Sequence, residues 1–274
     1  MINIYSEIKE TKIPIIMGIL NVTPDSFSDG GDYYTKEKAV NHAIKLLEEG
    51  ADIIDVGGES TRPGSKAIDA NEELERVIPV IEELLYRKPD TIISIDTSKS
   101  EVAERAVKIG VSIINDVSGG IFDEKIFYIS SKYNVPIVLM HMKGKPENMQ
   151  LSPSYDNVIN EISYYFEDRI KTALSYNVEK IILDPGIGFG KRVEDNYLII
   201  RNLDKFKKLN YPILIGISRK SFLGKSLNLE IKNRDNSTII AETLSAIKGA
   251  KVIRTHNVKN AVELKNMLTY LTKE

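Results

Sequence analysis

Eight short apolar runs in this chain each end in a residue that can accept a hydrogen bond, donate one or hold charge. In chain order these are Asn21, Asp55 with Glu59 close behind, Asp96, Asn115, His141, Asp184, then Ser218, Arg219 and Lys220, and last Arg254, Thr255 and His256. Asn21, Asp55, Asp96, Asn115 and Asp184 are suited to the edge of a flat heterocycle, because carboxylates accept and amides both accept and donate. Arg219, Lys220, Arg254 and His256 add positive charge, and a guanidinium fork matches two phosphate oxygens. A ligand with a donor-rich ring and a phosphate tail suits both groups.

The elements that must position these residues are the runs themselves. They read "IIMGIL" from Ile15, "DIIDVG" from Asp52, "TIISID" from Thr91, "VSIIND" from Val111, "PIVLMH" from Pro136, "KIILD" from Lys180, "PILIGIS" from Pro212 and "KVIRTH" from Lys251. They are rich in Ile, Val and Leu and show little alternation, as strands of a parallel sheet covered on both faces do. Helical patterns lie between them. Asp69 and Glu72 have capping-box spacing, and Leu74, Val77, Ile78, Ile81, Leu84 and Leu85 then share one helical face. Ser98 and Glu101 have the same spacing before a helix that ends near Gly110. Val158, Ile159, Ile162, Tyr165, Phe166 and Ile170 form another stripe, and Ile239, Ile240, Leu244 and Ile247 one more.

Eight strand–helix units in about 250 residues predict an α/β fold, a single (β/α)8 TIM barrel over residues 1–274. A doubly wound open sheet is the alternative. In a barrel the polar strand ends converge on the C-terminal mouth, where active sites sit. Three Gly-rich stretches follow strand ends there: "NVTPDSFSDGG" from Asn21, "GGESTRPGS" from Gly57 and "DPGIGFGK" from Asp184. Each can be a plain turn, yet long loops at such a mouth are more often functional than idle.

Composition narrows the function. The chain has 274 residues, 42% hydrophobic and 28% charged, with a net charge of -2. No basic face for nucleic acid is expected. No cysteine is present, which excludes disulfides, Cys-ligated zinc and thiol catalysis, and three histidines make a multi-His metal site an unlikely expectation. The N-terminal stretch lacks the pattern of a signal peptide, and no apolar run nears about 18 residues, so no membrane span is expected. The reading is a cytoplasmic protein.

The segments "MGILNVTPDSFSDGG", "DIIDVGGESTRPG", "SIDTSKSEVA", "INDVSGG", "LMHMKGKPENMQ", "ILDPGIGFGK", "GISRKSFLG" and "RTHNV" occur in the order and spacing of the dihydropteroate synthases. The chain resembles that family of pterin-binding barrels over nearly its whole length. The resemblance implies a transferase of folate biosynthesis that joins 6-hydroxymethyl-7,8-dihydropterin diphosphate to 4-aminobenzoate, uses Mg2+ and forms a homodimer through its last helices. It implies that Asp96, Asn115, Met140, Asp184 and Lys220 hold the pterin. Asn21, Thr61, Arg254, Thr255 and His256 meet the diphosphate, with Asn21 also meeting the metal. Thr61, Arg62, Pro63, Phe189 and Ser221 meet the aminobenzoate. Asp96, Lys220, Arg254 and His256 form the expected catalytic set. Thr255 and Asn257 depart from the family's usual "RVHDV", and Ser237 stands where Gly is common, which is expected to alter a turn.

Several alternatives stay open. Asp96 could cap the helix expected near Ser98. Asp55 and Glu59 could serve the site or only order the second loop, and His141 could be structural or touch substrate. A folate-binding methyltransferase barrel, or a barrel that binds pterin without catalysis, would share the same scaffold.

Overall fold

The computed structural model describes residues 4–23, 32–60, 64–145 and 148–272. Eight parallel strands pair in chain order and close on themselves as a barrel: β1 Ile15–Asn21, β2 Ile53–Gly57, β3 Ile93–Asp96, β4 Ile113–Asp116, β5 Ile137–Met140, β6 Ile181–Asp184, β7 Ile213–Ile215 and β8 Ala250–Thr255. Helix α1 (Ile4–Glu10) precedes β1. Helices α2 (Asp32–Glu48), α3 (Ala70–Arg87), α4 (Ser100–Lys108), α5 (Lys125–Tyr133), α6 (Val158–Ser175) and α7 (Val193–Arg201) each follow a strand. After β7 come a short α8 (Ser221–Leu227) and α9 (Asp235–Ile247), and α10 (Val258–Leu271) follows β8. The open-sheet alternative is thereby excluded.

The lack of alternation in the strand sequences has a direct cause. One face of each strand, including Ile16, Ile54, Ile95, Ile114, Leu139, Leu183, Ile215 and Ile253, packs against the helices. The other face fills the barrel with Ile15, Met17, Ile53, Ile113, Val138, Ile182, Leu214 and Val252. Ile4, Tyr5 and Ile8 of α1 join that inner cluster and close the barrel at its N-terminal end. Side chains on a strand repeat every second residue. The next inward residues after Ile53, Ile113, Val138, Ile182 and Val252 are therefore Asp55, Asn115, Met140, Asp184 and Arg254. The apolar plug thus passes directly into a polar layer at the mouth.

Two helix expectations need correction. At α3 the Asp69 side chain does accept the Glu72 N–H, at 2.9 Å, but Ser98 caps nothing. Helix α4 starts at Ser100, whose N–H is taken by Asp123 Oδ2 at 2.8 Å. The apolar stripe of α9 also does not face the core. Ile240, Leu244 and Ile247 are 69%, 42% and 64% exposed. The buried face is Ser237, Thr238, Ala241, Glu242 and Ser245. These mostly small side chains let α9 lie close against β8, beside α7 and α10. Ser237 sits inside the first turn of α9, with its hydroxyl on the Arg234 carbonyl at 3.2 Å, and so does not remodel a turn.

Candidate active site

Arg254 occupies the centre of the mouth. Its Nε donates to Asp55 Oδ2 and its Nη2 to Asp96 Oδ2, each at 2.6 Å. Asp55 Oδ2 also accepts from Asn115 Nδ2 at 3.1 Å, while its buried Oδ1 has no partner. Strands β2, β3, β4 and β8 are thus tied by one guanidinium, two carboxylates and one amide. Burial works against charge on Arg254, but Asp55 and Asp96 outweigh it and hold the guanidinium firmly protonated. Burial pushes the Asp96 carboxyl up to about 7 against the pull of Arg254, with Asp55 adding to the rise. Helix α4 begins at Ser100 without a side-chain cap, so Asp96 does not cap it.

On the opposite wall, Asp184 is 6% exposed at the end of β6 and beside Met140 of β5 in register. Its Oδ1 accepts the Gly186 N–H at 2.8 Å. Burial raises its carboxyl, opposed chiefly by Lys220. Lys220 Nζ donates to the Ile187 carbonyl and stands 4.4 Å from the centre of the Phe189 ring. Burial pulls this amine down to about 8, against the support of Asp184. A flat ring between these walls would meet the carboxylates of Asp96 and Asp184, the amide of Asn115 and the ammonium of Lys220. Those groups match a heterocycle carrying both donors and acceptors.

The anion side is built on β7 and β8. Ser218 Oγ accepts the His256 backbone N–H at 3.1 Å and lies 3.0 Å from His256 Nδ1. Thr255 is fully buried. Arg219 does not join this group. It has a left-handed backbone, with φ 57°, and both its Nε and Nη2 go to the Asp235 carboxylate, at 2.7 and 2.9 Å. Asn257 Nδ2 donates to the same carboxylate at 3.0 Å, and its Oδ1 caps α10 through the Asn260 N–H at 3.2 Å. This departure from the family pattern thus braces the start of α10.

Ser221 opens α8 and is exposed, beside a cavity of about 350 Å3 that Gln150, Gly188, Asn196 and Phe222 also line. A second cavity, of about 340 Å3, lies next to Asp96 between Glu59, Thr97, Lys99, Phe122 and Asp123. Asp55 and Glu59 have different partners. Asp55 belongs to the central cluster. Glu59 pairs instead with Lys99, which also holds the fully buried Glu73 at 2.5 Å. His141 directly follows β5, with Nδ1 2.9 Å from Lys191 Nζ. It is 5% exposed and packs edge-on against Tyr165, with ring centres 4.8 Å apart.

Thr61, Arg62, Pro63 and most of the loop after Asn21 lie outside the described residues. Asn21 itself is half-buried at the tip of β1, paired in register with Gly57. Among the described residues no group of three or more His, Asp or Glu could hold a metal ion. The Asn21 amide oxygen is a hard ligand of the kind Mg2+ accepts, and Mg2+ keeps several waters and draws on substrate phosphates.

A family model described as pterin binding enzyme matches residues 17–256. Over 252 residues, 91% of this chain and 89% of the other, the chain is 44% identical to the dihydropteroate synthase of Escherichia coli (strain K12). The solved dihydropteroate synthase of Xanthomonas albilineans with 4-aminobenzoic acid superposes with a TM-score of 0.89 at 40% identity, covering 96% of this chain and 94% of that one. The same organism's enzyme in complex with 7,8-dihydropteroate gives 0.85 at 37% identity, covering 96% of both chains.

Proposed function

This chain belongs to the pterin binding enzyme family, and on that premise we infer that it is a transferase carrying out the dihydropteroate synthase reaction. It condenses 6-hydroxymethyl-7,8-dihydropterin diphosphate with 4-aminobenzoate to give 7,8-dihydropteroate and diphosphate. The observation that carries this reading is the polar layer above the barrel plug, where Asp55, Asp96, Asn115 and Asp184 face Arg254 and Lys220.

In this reading the pterin lies flat between Asp96 and Asp184. Asp184 accepts two parallel hydrogen bonds from the ring's amino group and ring N–H. Asn115 serves the adjoining edge, Lys220 donates to ring acceptors, and Met140 packs on the face. Arg254, His256 and the Thr255 backbone take the diphosphate, while Phe189 and Ser221 frame the arylamine. Thr61, Arg62 and Pro63 are assigned to the diphosphate and arylamine by the family pattern alone.

The bond between the pterin methylene and the diphosphate oxygen breaks early, and positive charge spreads over methylene and ring. The Asp96 carboxylate, beside that charge, stabilises it, and Arg254 and His256 stabilise the departing anion. The arylamine nitrogen then forms the new C–N bond and gives its proton to solvent. Mg2+, carried with the diphosphate and held through the Asn21 amide oxygen, would neutralise charge on the leaving group.

Two further parts of the reading concern the whole molecule. The exposed apolar residues of α9, with Met267, Tyr270 and Leu271 of neighbouring α10 at 59%, 74% and 72% exposure, support a homodimer through these helices. A cytoplasmic location is proposed with it, and no described helix is long and apolar enough to cross a membrane.

Mixing the two substrates with Mg2+ tests the reaction. Diphosphate and dihydropteroate should form together. Tight pterin binding without turnover would leave a binding protein and refute the enzyme. The early bond cleavage is tested separately by positional exchange of bridge oxygen into the diphosphate with the arylamine absent, and no exchange would refute that order.

A further inference from the structure

Residues 184–191, "DPGIGFGK", run beneath the Lys220 side of the mouth with an unusual amount of anchoring. Gly186, Gly188 and Gly190 all have positive φ, at 66°, 83° and 63°. A Cβ at Gly186 would stand 1.9 Å from the His141 carbonyl oxygen, and one at Gly190 would stand 2.1 Å from that of Lys143. The loop is therefore pressed against the segment after β5, and only glycine fits at those two points. Its successive carbonyls are then each held by a side chain. Ile187 is held by Lys220, Gly188 by Gln150, Phe189 by Lys191 at 3.0 Å and Gly190 by the Tyr155 hydroxyl at 2.8 Å.

Lys191 is the most deeply buried charged member of this set with no role in the reaction described above. It is 3% exposed. Its Nζ reaches the Phe189 carbonyl at 3.0 Å, the His141 carbonyl at 3.2 Å and His141 Nδ1 at 2.9 Å. It closes a bridge from the residue that carries the Phe189 ring to the end of β5. Both carbonyls accept from Nζ whether or not the amine is protonated. The Phe189 ring in turn lies under the Lys220 ammonium. An amine taken this far out of water and held by two backbone carbonyls and a histidine ring is spent on geometry.

We infer that Lys191 is a positioning residue that fixes the Phe189 ring for the arylamine half of the reaction. The inference rests on the reading of this site as one that takes an arylamine. Replacing Lys191 by Met keeps length and apolar bulk but releases both carbonyls. The ring then loses its fixed position, whereas Asp184, Asn115 and Asp96 keep theirs.

The test is steady-state kinetics on Lys191→Met with the full chain, both substrates and Mg2+, alongside calorimetric titration of the pterin substrate alone. The expected result is an arylamine KM raised about ten-fold or more, since the two carbonyls that Nζ held are left without their donor, with the pterin Kd within about two-fold of the parent. The same change in a Phe189→Ala background should add little, because the ring it acts through is gone. A merely structural lysine would give additive losses, or a lower Tm with an unchanged arylamine KM, and either result overturns the inference. If Lys191→Met does not fold, Lys191→Gln, whose amide reaches one carbonyl, is measured by the same criteria. Absence of turnover in the parent chain would instead refute the arylamine reading itself.

Discussion

Asp184→Asn separates recognition of the ring from stability of the barrel. In the unliganded site Asp184 Oδ1 accepts the Gly186 N–H at 2.8 Å. An asparagine would keep its carbonyl on that bond and place its NH2 where the second carboxylate oxygen stood. The free protein loses little, because burial already works against the charged form of this carboxyl. Binding suffers twice. The charge-assisted bond to the pterin is lost, and an amide donor now faces a ring donor that stays unpaired. Each of these costs about 1.5–3 kcal/mol, so about 3 kcal/mol in total is a conservative sum. That corresponds to a Kd weakened at least about a hundred-fold. Calorimetric titration of the pterin substrate without arylamine isolates this step, and circular dichroism confirms the fold. A well-folded variant whose Kd lies within about three-fold of the parent would show that Asp184 does not grip the ring, and the assigned pose would fall.

Three other expectations follow from buried charge and exposed apolar surface. Glu242 is 1% exposed, shares a hydrogen bond with Thr255 and is pushed by burial from 4.5 up to about 8. The folded state keeps this proton while the unfolded chain loses it, so stability should fall as pH rises from about 4.5 to about 8. Glu242→Gln should flatten the Tm-against-pH curve across that window, and an unchanged slope would refute the assignment. Lys99→Met should destabilise the fold by about 3 kcal/mol in urea unfolding, because it strands the buried Glu73 carboxyl, and adding Glu73→Leu should restore most of the loss. Ile240→Asp should turn the proposed homodimer into monomer by light scattering at micromolar concentration, and a dimer that persists would move the interface away from α9.

The barrel was readable because its strands are apolar on both faces and spaced evenly, and both properties survive in a linear string. The heights of Asp55, Asn115, Asp184 and Arg254 were readable as well, since side-chain direction repeats every second residue and each follows an apolar inward residue. Partnership was not readable. Arg254 and Asp55 stand 199 positions apart, and Lys191 and His141 stand 50 apart. No local pattern announces either pair. Arg219 looked like a fourth cation for the anion, yet Asp235 holds it on the far side of its own left-handed turn. Helix α9 shows the deeper limit. Its apolar stripe and its small-residue face, Ser237, Ala241 and Ser245 at intervals of four, are both periodic. Periodicity says that a helix has two faces but not which one meets the barrel. Here closeness of approach decides. A helix that must lie against β8 between two neighbours gains more from small side chains that permit contact along its length than from Ile and Leu that would hold it off. The bulky residues then remain outside, and a surface of that kind asks for a partner.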